Sequence, residues 1–312
     1  MPRPLRKPSW LRVRVPGGKT HQELKRTLRK GHLHTVCEEA LCPNMGECWR
    51  AGTATVMVLG KTCSRGCRFC GVTSGKLDGA VDSREPDEVA VAVAAMALKY
   101  VVLTMVNRDD LPDGGAAHVA ATIGRLRARC PEILVEALVG DFAGRAESVD
   151  TICEAAPDVF AHNLEVVRSV TPALRDGRCS YDRSLTVLRW AKERSPERLT
   201  KSSLMVGVGE EDDEVVASMA DLRAVGVDVL TIGQYLQPSR KHAPVCRYVH
   251  PDRFAEWSRM GEELGFCCVA AGPLVRSSYR AAEVFVESQL RGTPPGEPAG
   301  GAGAVTGRRL SS

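Results

Sequence analysis

Cys63, Cys67 and Cys70 fall within eight residues in the pattern C-x3-C-x2-C, directly after an apolar run from Thr53 to Leu59. Three reduced thiolates that close together are soft ligands for iron or zinc. A cubane iron–sulfur cluster needs four corners held, so three cysteines leave one iron open to a substrate or cofactor. A second triplet precedes the first: Cys37, Cys42 and Cys48, spaced C-x4-C-x5-C and again one ligand short. Taken alone, this second set fits either a zinc knuckle completed by His32 or His34, or a second cluster. Two three-cysteine sets so close, with no paired C-x2-C…C-x2-C arrangement, favour two clusters. The remaining cysteines (130, 153, 179, 246, 267 and 268) are scattered or lie in apolar runs, and read as buried small hydrophobes.

Composition narrows the setting. A chain of 312 residues that is 44% apolar can bury the core of one large α/β domain. A net charge of +4 creates no field for a polyanion, so no nucleic acid is expected. No apolar run approaches the roughly 20 residues that span a bilayer, and the basic first 30 residues lack the apolar core of a secretory signal. Twelve cysteines without such a signal point to a reducing compartment and to metal binding rather than disulfides. The expected location is the cytoplasm, with no membrane association.

The elements that must position these thiols alternate in type. β-branched apolar runs at Thr53–Leu59, Tyr100–Val106, Ile133–Val139, Val159–Leu164, Ser203–Val208 and Val227–Tyr235 are separated by helical patterns near Asp87–Lys99, Ala116–Arg129, Arg145–Ala155, Tyr181–Arg194 and Glu211–Val225. A sixth helix follows at Pro251–Leu264, and a short β segment is expected near Val269–Val275. Six β–α units predict a parallel sheet with outer helices, that is, an α/β fold with a partial (β/α)6 TIM-type barrel. Chemistry in such folds sits at the C-terminal ends of the strands, where the Cys63 loop emerges. Polar clusters fall at the same edge: Asn107 to Gly115, His162-Asn163-Leu164-Glu165, and Gln237 to His242. The Gly207-Val-Gly209-Glu turn resembles a phosphate loop only loosely. The expected organisation is an N-terminal extension over 1–52, a barrel over 53–275, a C-terminal segment over 276–291 and a disordered tail over 292–312.

The C-x3-C-x2-C spacing, with aromatic Phe69 before its last cysteine, resembles the radical S-adenosylmethionine (SAM) enzymes, in which SAM caps the open iron. Further stretches narrow the likeness: Lys7-Pro8-Ser9-Trp10-Leu11, Cys42-Pro43-Asn44, Arg108-Asp109-Asp110-Leu111, the His162 and Thr200-Lys201-Ser202 motifs, the run from Gly233 to Arg240, and Gly272 to Tyr279 with its Arg276-Ser277-Ser278-Tyr279. From about residue 6 to 285 the chain resembles the lipoyl synthase family. That resemblance implies that Cys63, Cys67 and Cys70 hold the SAM-cleaving 4Fe–4S cluster. It implies that Cys37, Cys42 and Cys48 hold an auxiliary 4Fe–4S cluster whose fourth iron takes an oxygen from Ser278. Phe69, Asn163, Glu165 and Arg240 are the expected SAM-binding residues, with Asn163 and Glu165 at its ribose or amino-acid end.

The implied reaction inserts two sulfur atoms into an octanoyl chain carried on a lysine, consuming two SAM per product. Unactivated C–H bonds resist acid–base attack, so a radical cofactor must do the hard step. A single hard alkoxide ligand should hold iron less firmly than thiolate, letting that iron leave as sulfide is consumed. The implied partners are an octanoylated carrier domain of a 2-oxoacid dehydrogenase E2 or glycine cleavage H protein, a flavodoxin or ferredoxin as reductant, and a cluster-assembly protein. Residues 1–35 carry ten Lys or Arg against one acid, Glu23, which suits either an acidic carrier domain or a plain solvated face. The chain departs from the family pattern at Met105, Asn107 and Gly140, which bear on details of the cavity. Another sulfur-inserting radical SAM enzyme would lack the pairing of N-terminal triplet and Arg-Ser-Ser-Tyr. A zinc-binding barrel without activity would be colourless.

Overall fold

The computed structural model describes residues 5–11, 34–35, 44, 48, 53–278, 286, 289–290 and 304–307. Its strands are β1 (His34–Thr35), β2 (Thr53–Val58), β3 (Thr62–Cys63), β4 (Thr73–Ser74), β5 (Tyr100–Met105), β6 (Leu134–Leu138), β7 (Val159–Ala161), β8 (Leu199–Val206), β9 (Val229–Gln234), β10 (Cys268–Gly272) and β11 (Ala304–Gly307). The α-helices are α1 (Glu85–Ala95), α2 (Ala116–Arg129), α3 (Ala146–Glu154), α4 (Thr171–Leu174), α5 (Tyr181–Arg194), α6 (Asp212–Ala224) and α7 (Pro251–Glu263). Among the described residues one sheet has the order β1-β2-β5-β6-β7-β8-β9-β10-β11, and β3 pairs with β4 apart from it. The seven strands from β2 to β10 in that order run parallel, while β1 and β11 cap the two ends antiparallel. The sheet is open, as a barrel of six β–α units plus a last strand should be.

Strand alternation divides the core in two. Val101, Leu103, Val135 and Ala137 face outward and pack with Val93, Ile123, Leu126 and Ile152 of the covering helices. Tyr100, Val102, Val159, Val229 and Ala270 form a second apolar group with other strand residues. On the other half, Leu204, Val206, Leu230 and Ile232 pack with Met219, Leu222, Phe254 and Trp257. Each fully buried large apolar side chain here contributes about 1.5–3 kcal/mol. Helix ends follow local chemistry: the Ser180 hydroxyl accepts from the Arg183 amide at 3.0 Å to start α5, whose last turn carries Lys192 and Arg194.

Two expectations change. β8 begins at Leu199, four residues before the apolar run that announced it, because Thr200, Lys201 and Ser202 are buried strand residues. Lys201 Nζ pairs with Glu136 Oε2 at 2.7 Å, and Tyr100 Oη donates to the same oxygen at 2.7 Å. A polar triplet thus belongs to the strand because its charge is neutralised inside the fold. Second, the tail expected to be disordered from 292 supplies β11 at Ala304–Gly307, against the otherwise unpaired edge of β10. Val305 and Thr306 give that stretch two adjacent β-branched residues, a pairing found nowhere else in the tail. Among the described residues, no helix is long and apolar enough to cross a membrane.

Candidate active site

At the C-terminal ends of the strands lies a cavity of about 960 Å³, lined by residues from Lys7 to Ser278. Cys63, Cys67, Phe69 and Cys70 line it, together with Asn163, Glu165 and Ser278. Cys48 is buried and Cys37 and Cys42 lie outside the described residues. The Asn44 amide nevertheless donates to the Leu274 carbonyl at 2.6 Å, which ties the N-terminal triplet's segment to the arm bearing Ser278. Arg240 is exposed and does not line the cavity, although its neighbours Ser239 and His242 do.

The Cys63–Cys70 loop is braced by charge. Arg65 is almost fully buried and pairs with Asp109 and Asp141, each at 2.7 Å. Burial alone pushes both carboxyls up, but hydrogen bonds to Arg65 outweigh it and hold them below their usual range. The Ser64 hydroxyl donates to Asp109 at 2.6 Å. The Gly66 amide donates to Asp176 at 2.8 Å, the Arg68 amide to the Leu174 carbonyl at 2.8 Å, and the Ala243 amide to the Arg68 carbonyl at 2.8 Å. Loops following β7 and β9 therefore grip the cysteine loop from both sides. The acidic stretch after β5 is consumed in this bracing, since Asp110 also pairs with Arg108 at 2.7 Å and Asp113 accepts from the Gly115 and Ala117 amides.

Burial pushes the Cys70 thiol up to about 11. Cys179, read from sequence as a buried hydrophobe, instead lines the cavity beside Cys67. A shared hydrogen bond pulls Cys179 down and pushes Cys67 up, and Arg175 and Arg65 add to the pull on Cys179. Arg65 Nη1 lies 3.4 Å from the Cys179 sulfur. Cys246 is exposed, whereas Cys153, Cys267 and Cys268 are buried as expected. No sequence pattern separated Cys179 from those three; only the loop geometry does.

A directed chain of hydrogen bonds sets the wall beyond the thiols. Arg175 Nη1 donates to Ser184 Oγ at 2.8 Å, the Ser184 hydroxyl lies 2.9 Å from His162 Nε2, and His162 Nδ1 lies 2.8 Å from the Val139 carbonyl. The carbonyl can only accept, so Nδ1 carries the proton and Nε2 accepts from Ser184. Burial pulls His162 down to about 4, with Arg175 adding to the effect, so it stays neutral. Glu165 is half-buried in the same wall, where desolvation pushes its carboxyl up, while Asn163 donates to it at 3.1 Å. Its backbone adopts φ +72°, a left-handed conformation that a side chain disfavours. Two backbone hydrogen bonds to β8, Glu165 N to Ser203 O and Met205 N to Glu165 O, hold it there. The Gly207-Val-Gly209 turn cradles no anion: Glu210 already accepts from the Gly207 and Val208 amides at 2.7 and 2.9 Å.

Comparison with known proteins places this geometry. The profile of the radical SAM superfamily matches residues 57–222, and that of the N-terminal domain of lipoyl synthase of the radical SAM family matches residues 2–42. A lipoyl synthase of Sorangium cellulosum (strain So ce56) is 61% identical over 298 residues, covering 91% of this chain and 80% of that protein. The chain belongs to the lipoyl synthase family. Another lipoyl synthase, from Thermus thermophilus, is 55% identical over 285 residues, covering 91% of this chain and 88% of the relative. Among solved structures, methylornithine synthase aligns with a TM-score of 0.54 at 14% identity, covering 77% of this chain and 69% of that one. The hydrogenase maturase HydG of Carboxydothermus hydrogenoformans aligns at 0.53 with 12% identity, covering 78% and 63%. At those identities the structures speak for the fold alone.

As a radical SAM enzyme of the lipoyl synthase family, the chain works with SAM and a 4Fe–4S cluster. The cavity fits both. Three soft donors stand on one short braced loop, which suits iron. Arg175 is buried, lines the cavity and, among the described residues, has no hydrogen-bond partner for its Nε, which leaves a cationic donor for a carboxylate such as that of SAM. Sequence reasoning missed Arg175 and Arg65, since arginines in loops ordinarily read as solvated.

Proposed function

We propose that the chain inserts two sulfur atoms into the octanoyl chain of an octanoyl-lysyl carrier domain, using two SAM per product. In this reading Cys63, Cys67 and Cys70 hold the SAM-cleaving cluster, and Cys37, Cys42, Cys48 and Ser278 hold an auxiliary 4Fe–4S cluster. When bound, the first cluster would supply the electron for reductive cleavage of SAM, and the second would supply sulfur. The chain's own residues bind and orient. Arg175 takes the carboxylate of SAM, Asn163 and Glu165 take its polar end, and Phe69 shields the sulfur corner from water. His162, held neutral, adds no competing charge to the wall.

The observation that carries the reading is convergence: Ser278 lines the same cavity as Cys63, Cys67 and Cys70 although about two hundred residues separate them. The Asn44–Leu274 hydrogen bond supports it by bringing the N-terminal triplet's segment to the Ser278 arm. The proposed partners are an E2 or glycine cleavage H carrier domain, a flavodoxin or ferredoxin and a cluster-assembly protein, in the cytoplasm. Anaerobic reconstitution with iron and sulfide should give a brown protein carrying two cubanes. With SAM, a reductant and an octanoylated lysine peptide, two C–H bonds of the octanoyl chain should be replaced by two C–S bonds, giving the dithiol, which closes to the disulfide on oxidation. A colourless zinc-loaded sample, or 5′-deoxyadenosine without any peptide sulfur, would overturn it.

A further inference from the structure

Ser278 stands on a turn beyond the last residue of β10, where no sheet hydrogen bond fixes its side chain. Its hydroxyl is instead met by Thr55, whose Oγ1 donates to Ser278 Oγ at 2.9 Å across 223 residues of sequence. Thr55 is an anchor of the opposite kind. It lies inside β2, buried, in register with Val102 of the neighbouring strand. A β-branched side chain on a strand has few χ1 options, so its hydroxyl points in a fixed direction. Ser277, one residue earlier and also lining the cavity, makes no hydrogen bond among the described residues. Of the two adjacent serines, the strand selects one.

We infer that Thr55 is the positioning residue for Ser278, holding its oxygen at the place where the auxiliary cluster's fourth iron is bound. The inference rests on the reading of Ser278 as that iron's ligand. A hydroxyl that receives a hydrogen bond on one side keeps its other lone pair free for a metal. Without the donor, Ser278 would sample its rotamers and meet the iron for only part of the time. The consequence is confined to one corner of one cluster. The thiol corners, and the braced Cys63 loop with its own cluster, do not depend on this contact.

The test reconstitutes the full chain and its Thr55→Val, Thr55→Ser and Ser278→Ala variants anaerobically with 57Fe and sulfide. SAM is present to cap the first cluster, and EDTA is then added briefly. Mössbauer spectra count four-iron and three-iron cubanes, while 5′-deoxyadenosine and inserted sulfur are measured in parallel. Thr55→Val keeps shape and loses the donor, so it should release the auxiliary cluster's unique iron about fivefold faster. That ratio corresponds to about 1 kcal/mol, the net worth of one hydrogen bond. More 5′-deoxyadenosine should then form per sulfur inserted, and Thr55→Ser should restore both quantities. Parent-like behaviour of Thr55→Val beside an iron-losing Ser278→Ala would overturn the inference and leave the Ser278 reading intact. A Ser278→Ala variant that retained its iron would remove that reading and the inference together. Equal loss of both clusters in Thr55→Val would overturn the inference as well, since it would mark a general role in folding.

Discussion

Two regions meet in one cavity and are held by opposite means. The Cys63–Cys70 loop is short in sequence and gripped by buried ions, with Arg65 bridging Asp109 and Asp141. The Ser278 arm is assembled from distant parts of the chain by neutral hydrogen bonds, Thr55 to Ser278 and Asn44 to Leu274. Buried ion pairs are rigid and strongly destabilising to break, whereas a neutral hydrogen bond is worth about 1 kcal/mol net. The first region is built to stay fixed. The second can yield one contact at a time, which would suit the sulfur-supplying cluster proposed there.

The largest break should come at Arg65. Replacing it with Met takes the shared cation from buried Asp141 and half-buried Asp109, which should cost roughly 3–5 kcal/mol. Urea denaturation should register that loss, and the SAM-cleaving cluster should fail to load. Arg65→Lys should recover little, because a single ammonium cannot satisfy both partners as the guanidinium fork does.

His162 tests the wall between the two regions. The unfolded chain takes up a proton on histidine near pH 6.5, while the folded chain does so only near pH 4. Between those values the unfolded state binds more protons, so stability is complete above the window and falls as pH drops through it. The loss should approach roughly 3 kcal/mol at the acid end. Thermal melts of the parent and His162→Gln across pH 7 to 4 should diverge accordingly, the variant lacking this component.

A smaller effect, but a more selective one, belongs to Gly233. A Cβ there would lie 2.1 Å from the Val275 carbonyl, so β9 and the C-terminal arm approach too closely for any side chain. Gly233→Ala should cost about 1–3 kcal/mol. It should lower auxiliary-cluster iron while the first cluster still loads and cleaves SAM. Equal damage to both would contradict the independence of the two regions.

The smallest effect links two departures from the family pattern. A Cβ on Gly140 would lie 2.4 Å from Asn107 Oδ1, so the glycine makes room for the asparagine. Gly140→Ala should cost roughly 1 kcal/mol alone and less in the presence of Asn107→Ala, a coupling that a double-mutant cycle in urea measures.

The layered fold was legible because hydrophobic alternation and helical periodicity act locally. Ala116–Arg129 and Tyr181–Arg194 were bounded correctly by their apolar faces and flanking turns. The cysteine loop was legible from spacing alone, and its place at the strand ends followed from the fold. Lys201 hid the start of β8, because a lysine in a sequence carries no sign that Glu136 waits 65 residues away. Arg65, Arg175, Thr55 and Cys179 escaped for the same reason: each owes its importance to a partner far along the chain. The antiparallel caps at the sheet's ends were also illegible, since two- and four-residue strands leave too short a pattern.

Glu165 sets the terms for anyone hardening this enzyme against heat. Glycine would relax its left-handed backbone, a strain typically of about 1–3 kcal/mol. The same exchange would strip the cavity of the one lining carboxylate, among the described residues, that Arg65 does not claim. Screens for thermal tolerance alone should therefore favour position 165 variants that melt later and turn over less, a trade written into a single torsion angle.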